Sequence, residues 1–147
     1  MTSHKYQIWN IAQKRVRQLF KSHTSDINRL AFSPTGRSLV SASFDHSVRL
    51  WSIRDGSSKT AKYKDYFGSA AFHPGGRYFA AGNNDLVVRI WDAQTMRLVT
   101  SWRGHGGCVW CMDFTPDGKG LVCGSTDEVL KYWDVSSLED PVEIRKV

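Results

Sequence analysis

Residues 30–51 read LAFSPTGRSLVSASFDHSVRLW, and the same arrangement returns twice further along the chain. The Pro-x-Gly segment of residues 34–36 recurs at 74–76 and 116–118, and tryptophan follows at positions 51, 91 and 133. A further tryptophan stands at position 9, so that the gaps between the four are 42, 40 and 42 residues. A nearly constant period indicates an array of one structural unit, whose fold follows from how the copies stack.

Each unit has the pattern of short β-strands. Residues 27–33, 38–44 and 47–53 are rich in β-branched, aromatic and small residues, and Gly, Pro, Asp or Ser bounds each run. Pro-x-Gly joins the first two runs as a tight turn, and a fourth run follows each tryptophan, as at 15–20 and 97–102. No stretch shows a sustained apolar period of 3.6 residues, so the chain is predicted to be all-β.

The predicted unit is a four-stranded antiparallel meander, and one such sheet cannot bury both of its faces alone. Copies stacked around an axis bury one another, which is the principle of a β-propeller. The spacing of the tryptophans and turns predicts a half-blade at residues 1–20 and full repeats at 21–64, 65–103 and 104–147. The expected fold is therefore a propeller fragment of about three blades plus a leading half-blade, in an incomplete ring.

The motifs of these units resemble those of the WD40 repeat over essentially the whole chain. The first repeat carries Ser22-His23, the segments 30–36 and 41–45, and Trp51; the third carries Gly104-His105, 114–118, 124–127 and Trp133-Asp134. By this resemblance a buried hydrogen-bond chain is formed by His23, Ser41, Asp45 and Trp51, and in the third repeat by His105, Asp127 and Trp133. Cys123 replaces the serine there.

The second repeat departs further from the pattern. It retains Asp85 and Trp91, but Ala81 stands at the serine position and no histidine precedes its first strand. The second and third repeats are therefore predicted to be less rigid than the first.

Several residue groups could carry chemistry, but a structural role is favoured for each. His23, Ser41 and Asp45 are the residue types of a hydrolase triad, yet no nucleophile elbow or oxyanion-hole motif accompanies them. Cys108 and Cys111 form a C-x-x-C, but positions i and i+3 of a strand face opposite sides and no second ligand pair has suitable spacing. The sequence therefore predicts no enzyme, metal or cofactor.

Composition and charge limit the classes of partner that are expected. Net charge is +6 with scattered basic residues, and a denser stretch at 54–64 suggests a solvated loop or, alternatively, a site for an acidic or phosphate partner. Nucleic acid, membrane and small-molecule partners are not expected, and neither a signal peptide nor a membrane span is predicted. Three cysteines without clear pairing suit a reducing compartment.

WD40 proteins bind peptides or partner domains on one face, and the resemblance places particular positions there. These are Asp26, Asn28, Phe44, Tyr66, Gly68, Asn84, Cys108, Trp110 and Thr126. Trp110, Phe44 and Tyr66 are the candidate anchors, because large aromatic side chains at loop mouths are favoured in interfaces. The alternative for Trp110 and Phe44 is that they fill space between blades.

A narrower resemblance concerns the propeller of fungal Tup-type corepressors, relatives of Groucho, through residues 8–20, 55–60, 88–92, 114–122 and 131–134. It implies a nuclear propeller piece that binds peptides of DNA-binding repressors. The alternatives are a scaffold of another assembly, such as a ubiquitin ligase or RNA-processing complex, in the nucleus or cytoplasm, or a degenerate fragment without function.

Overall fold

A computed structural model describes residues 4–138, and the predicted fourth strand of the last repeat lies outside them. No helix occurs in the described part, so the prediction of an all-β fold is confirmed. The strands are β1 (His4–Asn10), β2 (Arg15–His23), β3 (Ile27–Phe32), β4 (Ser38–Ser43), β5 (Ser47–Ser52), β6 (Ser58–Lys62), β7 (Phe67–Phe72), β8 (Tyr78–Asn83), β9 (Val87–Asp92), β10 (Leu98–Arg103), β11 (Val109–Phe114), β12 (Gly120–Ser125) and β13 (Leu130–Asp134).

The strands pair in sequence order into four antiparallel sheets. β1 and β2 form the half-blade, β3–β6 form blade 1, β7–β10 form blade 2, and β11–β13 form the described part of blade 3. The four sheets follow one another without closing a ring, as expected for a propeller fragment.

The Pro-x-Gly turns explain how the first two strands of each blade are joined. Gly36, Gly76 and Gly118 have φ angles of 66°, 76° and 72°, which only glycine adopts without strain. Each donates its backbone N–H to the carbonyl three residues earlier, over 2.8–2.9 Å. The turn is thus the same structure in all three blades, as its repeated sequence predicts.

The core lies between neighbouring sheets. Because side chains alternate across a strand, blade 2 contributes to two apolar clusters. Phe79, Ala81 and Trp91 pack with Val40 and Val48 of blade 1, whereas other residues of blade 2 pack with blade 3. A third cluster joins Phe20 of the half-blade to blade 1. Full burial of one phenylalanine side chain stabilises the fold by about 1.5–3 kcal/mol, so these inter-sheet contacts hold the array together.

In the described part of the chain, no helix is long and apolar enough to cross a bilayer.

Candidate partner-binding site

A buried hydrogen-bond chain crosses blade 1 as the resemblance implied. The Nδ1 atom of His23 lies 2.7 Å from Asp45 Oδ2, and its Nε2 atom lies 2.6 Å from Ser41 Oγ. Trp51 Nε1–H donates to the same hydroxyl oxygen over 2.8 Å. With His23 protonated on Nδ1, Ser41 donates to Nε2 and accepts from Trp51. Every polar group of this buried chain is then satisfied.

Asp45 joins this chain to the turn between β4 and β5. Its Oδ1 accepts hydrogen bonds from the backbone N–H and the hydroxyl of Ser47, and Thr24 N–H donates to Oδ2. Burial alone would raise the pKa of Asp45, but the hydrogen bonds from Ser47 and His23 outweigh burial and hold that pKa below 3.8. Ser41 and His23 are fully buried, so a substrate could not reach them. The arrangement organises the turn.

Blade 3 retains only part of this chain. His105 Nδ1 lies 3.0 Å from Asp127 Oδ2, which also accepts Gly106 N–H. Burial would raise the pKa of Asp127, but these bonds and that from Val129 N–H lower it to about 2. The buried Nε2 atom of His105 makes no hydrogen bond with residues 4–138. Cys123 occupies the serine position, and a thiol is a weak hydrogen-bond partner.

Blade 2 uses a different solution that the sequence did not reveal. Arg89 forms a two-pronged ion pair with Asp85, one hydrogen bond of which measures 3.0 Å. Its guanidinium lies 4.2 Å from the ring centroid of Tyr63, which stands where the other repeats carry histidine. Phe79 stacks on Trp91 with centroids 5.3 Å apart. An ion pair and an aromatic stack therefore occupy the place of the polar chain.

The positions predicted for partner binding are linked by one backbone hydrogen bond in each blade. The donors are the N–H groups of Phe44, Asn84 and Thr126, and the acceptors are the carbonyls of Asp26, Tyr66 and Cys108, over 2.9–3.0 Å. Each bond ties the turn before the third strand to the loop before the first. The predicted positions thus share one end of the sheets.

Three of these residues meet in an aromatic cluster, formed by Phe44, Tyr66 and Trp110. The ring centroids of Phe44 and Tyr66 are 4.8 Å apart. The centroid of Trp110 lies 6.1 Å from that of Phe44 and 6.0 Å from that of Tyr66. The two contacts of Phe44 are edge-to-face, a geometry worth about 0.5–1.5 kcal/mol beyond area burial. Blades 1, 2 and 3 each supply one ring, so the cluster spans the array.

The aromatic cluster is half-open and electrically neutral. Trp110 is 40% exposed, while Phe44 and Tyr66 are half-buried. Burial raises the pKa of Tyr66, as does the neighbouring Cys108, and burial likewise raises the pKa of the Cys108 thiol. Both groups are therefore protonated at neutral pH. The site offers an apolar aromatic surface with hydroxyl and thiol groups beneath it.

The remaining predicted positions mainly hold the backbone. Asn28 Nδ2 donates to the Phe67 carbonyl of the next blade over 2.7 Å, and Thr126 Oγ1 accepts Cys108 N–H over 2.9 Å. At Gly68 a Cβ atom would lie 2.6 Å from the Val109 carbonyl oxygen and 3.3 Å from the Trp110 ring. Trp110 therefore packs against the neighbouring blade with one part of its ring and faces solvent with another. Asp26 is exposed, and Asn84 is half-buried.

Among residues 4–138, no group of three His, Cys, Asp or Glu side chains could hold a metal ion. Cys108 is buried and Cys111 exposed, and both are free thiols. The C-x-x-C therefore places its two sulfur atoms in different environments.

Comparison with known proteins gives a consistent family. The family described as "WD domain, G-beta repeat" matches residues 13–52, 60–92 and 96–134, which is most of the chain. Pre-mRNA-processing factor 19 of Oryza sativa subsp. japonica is 32% identical over 99 residues, covering 65% of this chain and 19% of that protein. The striatin homolog of Dictyostelium discoideum is 30% identical over 93 residues, covering 59% of this chain and 11% of that protein. The chain thus spans less than a quarter of the length of these relatives.

These relatives correct the narrower expectation from sequence. The first two are named for pre-mRNA processing and as a striatin homolog. A third similar protein is the autophagy-related protein 16 of Arabidopsis thaliana, which is 27% identical over 69% of this chain and 20% of that protein. None of the three is a Tup-type corepressor, so that resemblance gains no support. What they share with this chain is the repeat itself, a protein-interaction scaffold. Four tryptophan-centred sheets and the family match over three repeats show that the chain belongs to the WD40 repeat family.

Proposed function

We propose that this chain is a non-enzymatic binding platform that takes an extended peptide segment of a partner protein on the aromatic cluster. The observation that carries the proposal is the convergence of Phe44, Tyr66 and Trp110 from three blades, with Trp110 40% exposed. Tryptophan and tyrosine dominate the binding energy of protein interfaces when they lie on a rigid support. Here the support is the backbone hydrogen bond at the base of each loop.

The chemistry of the site indicates which peptides fit. A neutral aromatic surface favours a bulky apolar or aromatic side chain as the anchor of the peptide. Asp65 precedes Tyr66 in the chain, and Asp26 is exposed beside the turn of Phe44. These carboxylates favour a lysine or arginine next to the anchor, since complementary charges at a rim increase specificity and association rate.

The relatives favour an RNA-processing scaffold over a transcriptional corepressor. Their names refer to pre-mRNA processing, striatin and autophagy, which supports a scaffold of a multi-protein complex. We therefore place the chain with RNA-processing scaffolds rather than with corepressors, and expect a nuclear location and partner proteins of that class. The binding site proposed above does not depend on this assignment.

Peptide selection on the whole chain tests the proposal. A display library of random peptides is selected on the 147-residue protein, and the affinity of the enriched peptides is measured by fluorescence anisotropy. Trp110→Ala is expected to weaken binding at least about tenfold, because truncating an aromatic anchor costs about 2 kcal/mol or more. Enriched peptides are expected to share a bulky apolar residue beside a basic one.

A matched control is available in the same molecule. Trp9, in the half-blade, is 56% exposed and outside the aromatic cluster, so Trp9→Ala removes an indole that is at least as accessible as that of Trp110. This variant is expected to bind the selected peptides as the parent does. If Trp110→Ala and Trp9→Ala weaken binding equally, or if neither weakens it, the aromatic cluster is not the binding site.

A further inference from the structure

A cavity at the opposite end of the sheets is rich in arginine. It has a volume of about 580 Å³ and is lined by Arg17, Gly36, Arg37, Ser38, Ser52, Ile53 and Arg54. Arg17 comes from β2, Arg37 from the turn after β3, and Arg54 from the turn after β5. Because β3 and β4 are antiparallel, the turn at 33–37 lies at the other end of blade 1 from Phe44. This arginine pocket is therefore separate from the aromatic cluster.

Comparison of blade 1 with blade 2 explains why the pocket is positively charged. In blade 2 the equivalent of Arg37 is Arg77, whose Nε–H donates to Asp92 over 3.4 Å. Asp92 follows Trp91 and pairs with Tyr78 in the sheet; the corresponding pair in blade 1 is Ser52 and Ser38. Serine at 52 thus replaces the carboxylate that pairs with the equivalent arginine in blade 2.

The carboxylate nearest in sequence, Asp55, accepts a hydrogen bond from the Ser52 hydroxyl at the wall of the pocket and is further held by Ser57. Asp55 Oδ1 accepts the hydroxyl and the backbone N–H of Ser57 over 2.7 and 2.9 Å. Within the described residues Arg17, Arg37 and Arg54 form no ion pair, whereas Arg77 and Arg89 each pair with an aspartate. Arg17, Arg37 and Arg54 therefore line one cavity whose described lining residues include no carboxylate.

We propose that the arginine pocket binds a phosphate group, carried by a phosphorylated serine or threonine of a partner peptide. Arginine is the residue best suited to phosphate, because its planar guanidinium donates two parallel hydrogen bonds to the phosphate oxygens. The Ser38 hydroxyl adds a neutral donor at the wall of the pocket. Three cations match the charge of a phosphate dianion better than that of one carboxylate.

The shape and lining of the pocket favour a phosphopeptide over RNA. Single-stranded RNA is bound by a basic groove interleaved with aromatic side chains on which bases stack. Among the described residues that line the pocket none is aromatic, and Ile53 is the one large apolar side chain. The charge is concentrated at one cavity, which suits a single phosphoryl group.

Binding to matched peptide pools tests the assignment on the whole chain. The two pools are random peptides with a central phosphoserine and the same peptides with serine, and binding is measured by fluorescence anisotropy. The phosphoserine pool is expected to bind at least about tenfold more tightly, since charge-assisted hydrogen bonds contribute about 1.5–3 kcal/mol. Inorganic phosphate is expected to compete, and in nuclear magnetic resonance spectra to shift the amide signals of Gly36, Arg37 and Arg54.

Three variants separate this site from general positive charge. Arg37→Gln and Ser52→Asp are expected to abolish the preference for phosphoserine, the second by restoring the carboxylate that blade 2 has. Arg77→Gln, the same substitution in the equivalent turn, is expected to leave binding within about twofold of the parent. Arg37 and Arg77 are exposed and Ser52 is half-buried, and near-ultraviolet circular dichroism checks the fold of all three variants.

The proposal is overturned if the two pools bind equally, or if Arg77→Gln weakens binding as much as Arg37→Gln. It is also overturned if a mixed-sequence single-stranded RNA displaces the phosphopeptides and itself depends on Arg37 and Arg54. None of these three outcomes affects the peptide site at the aromatic cluster, because the two sites lie at opposite ends of blade 1.

Discussion

At the scale of single residues, the three repeats form a natural substitution series at one polar chain. Ser41 of blade 1 is replaced by Ala81 in blade 2 and by Cys123 in blade 3, and all three are fully buried. The histidine is present in blades 1 and 3 but absent in blade 2. The same hydroxyl is therefore expected to have opposite effects in the two blades that lack it.

Cys123→Ser is predicted to stabilise the protein by about 1 kcal/mol, the usual net contribution of one hydrogen bond. The new hydroxyl would reach His105 Nε2, which has no hydrogen-bond partner in the described part of the chain. Urea unfolding followed by tryptophan fluorescence measures the change.

Ala81→Ser is the matched control, because no histidine faces that position. A buried hydroxyl without a partner is expected to cost about 1–3 kcal/mol. Equal effects of the two substitutions would contradict the dependence of the polar chain on its histidine.

Asp45→Asn is predicted to make stability less dependent on acid pH. The folded pKa of Asp45 is below 3.8, so its stabilising effect is fully present above that value and is lost as the pH falls through the folded pKa. The variant is expected to be less stable by about 2 kcal/mol at neutral pH, because a charged acceptor is lost. The difference from the parent is expected to shrink below pH 3.8, as measured by urea unfolding across the acid range.

Asp113→Asn provides the control for this titration, since Asp113 is an exposed carboxylate on β11. It is expected to have nearly the stability of the parent at every pH. An acid dependence of Asp45→Asn identical to that of the parent would show that Asp45 does not carry the effect.

The residues of the polar chain could be predicted because a resemblance fixes their spacing from the tryptophan. The ion pair and aromatic contacts that replace this polar chain in blade 2 could not be predicted in the same way. Tyr63 and Arg89 are 26 residues apart, and nothing in the local sequence indicates that the guanidinium lies over the ring. The arginine pocket was equally hidden, because Arg17 and Arg54 belong to different sheets. Only the dense basic stretch at 54–64 hinted at an anionic partner.

At the scale of strands and sheets, the central blade differs from its neighbours. All residues of β7 and β8 are buried, because β7 lies against blades 1 and 3. In contrast, three residues of β3 are exposed. The missing polar chain predicted a less rigid second repeat, whereas burial on both faces favours a more rigid one.

Native-state hydrogen exchange distinguishes these two expectations. From the packing we predict that amides of β8 exchange more slowly than those of β4, its equivalent in blade 1, because opening blade 2 disrupts two apolar clusters. Faster exchange in β8 would instead show that the polar chain decides local stability. Trp51→Phe, which breaks the hydrogen-bond chain without emptying the core, is expected to speed exchange in blade 1 and in the half-blade that packs against Trp51, and not in blade 3.

The strands themselves could be predicted almost completely from turn chemistry and periodicity, since the same strand and turn pattern recurs in each repeat. The aromatic cluster was predicted only as separate positions. Phe44, Tyr66 and Trp110 are 22 and 44 residues apart, so their contact depends on the tilt between blades, which no local pattern encodes.

At the scale of the whole molecule, apolar side chains are exposed on the first strand of blade 1 and on the last described strand of blade 3. Leu30 and Phe32 on β3 are 41% and 55% exposed, and Leu130 and Tyr132 on β13 are 74% and 45% exposed. Interior blades cover the same faces of their neighbours. Such surfaces on an isolated chain favour association.

The 147-residue chain is therefore predicted to associate with itself as its concentration rises, in size-exclusion chromatography with light scattering. Phe32→Lys combined with Leu130→Lys is expected to reduce association, because each adds a charge to one exposed face. Ile11→Lys, in a turn where the side chain is 88% exposed, is the control and is expected to change nothing. A monomer at all concentrations would contradict the prediction.

Because the rings of Phe44, Tyr66 and Trp110 belong to three successive sheets, their separations record the curvature of the array. A flatter array would move the Trp110 indole away from Phe44 and Tyr66, and a more curved array would bring the three rings closer together. The surroundings of the Trp110 indole are therefore expected to change whenever the curvature of the array changes.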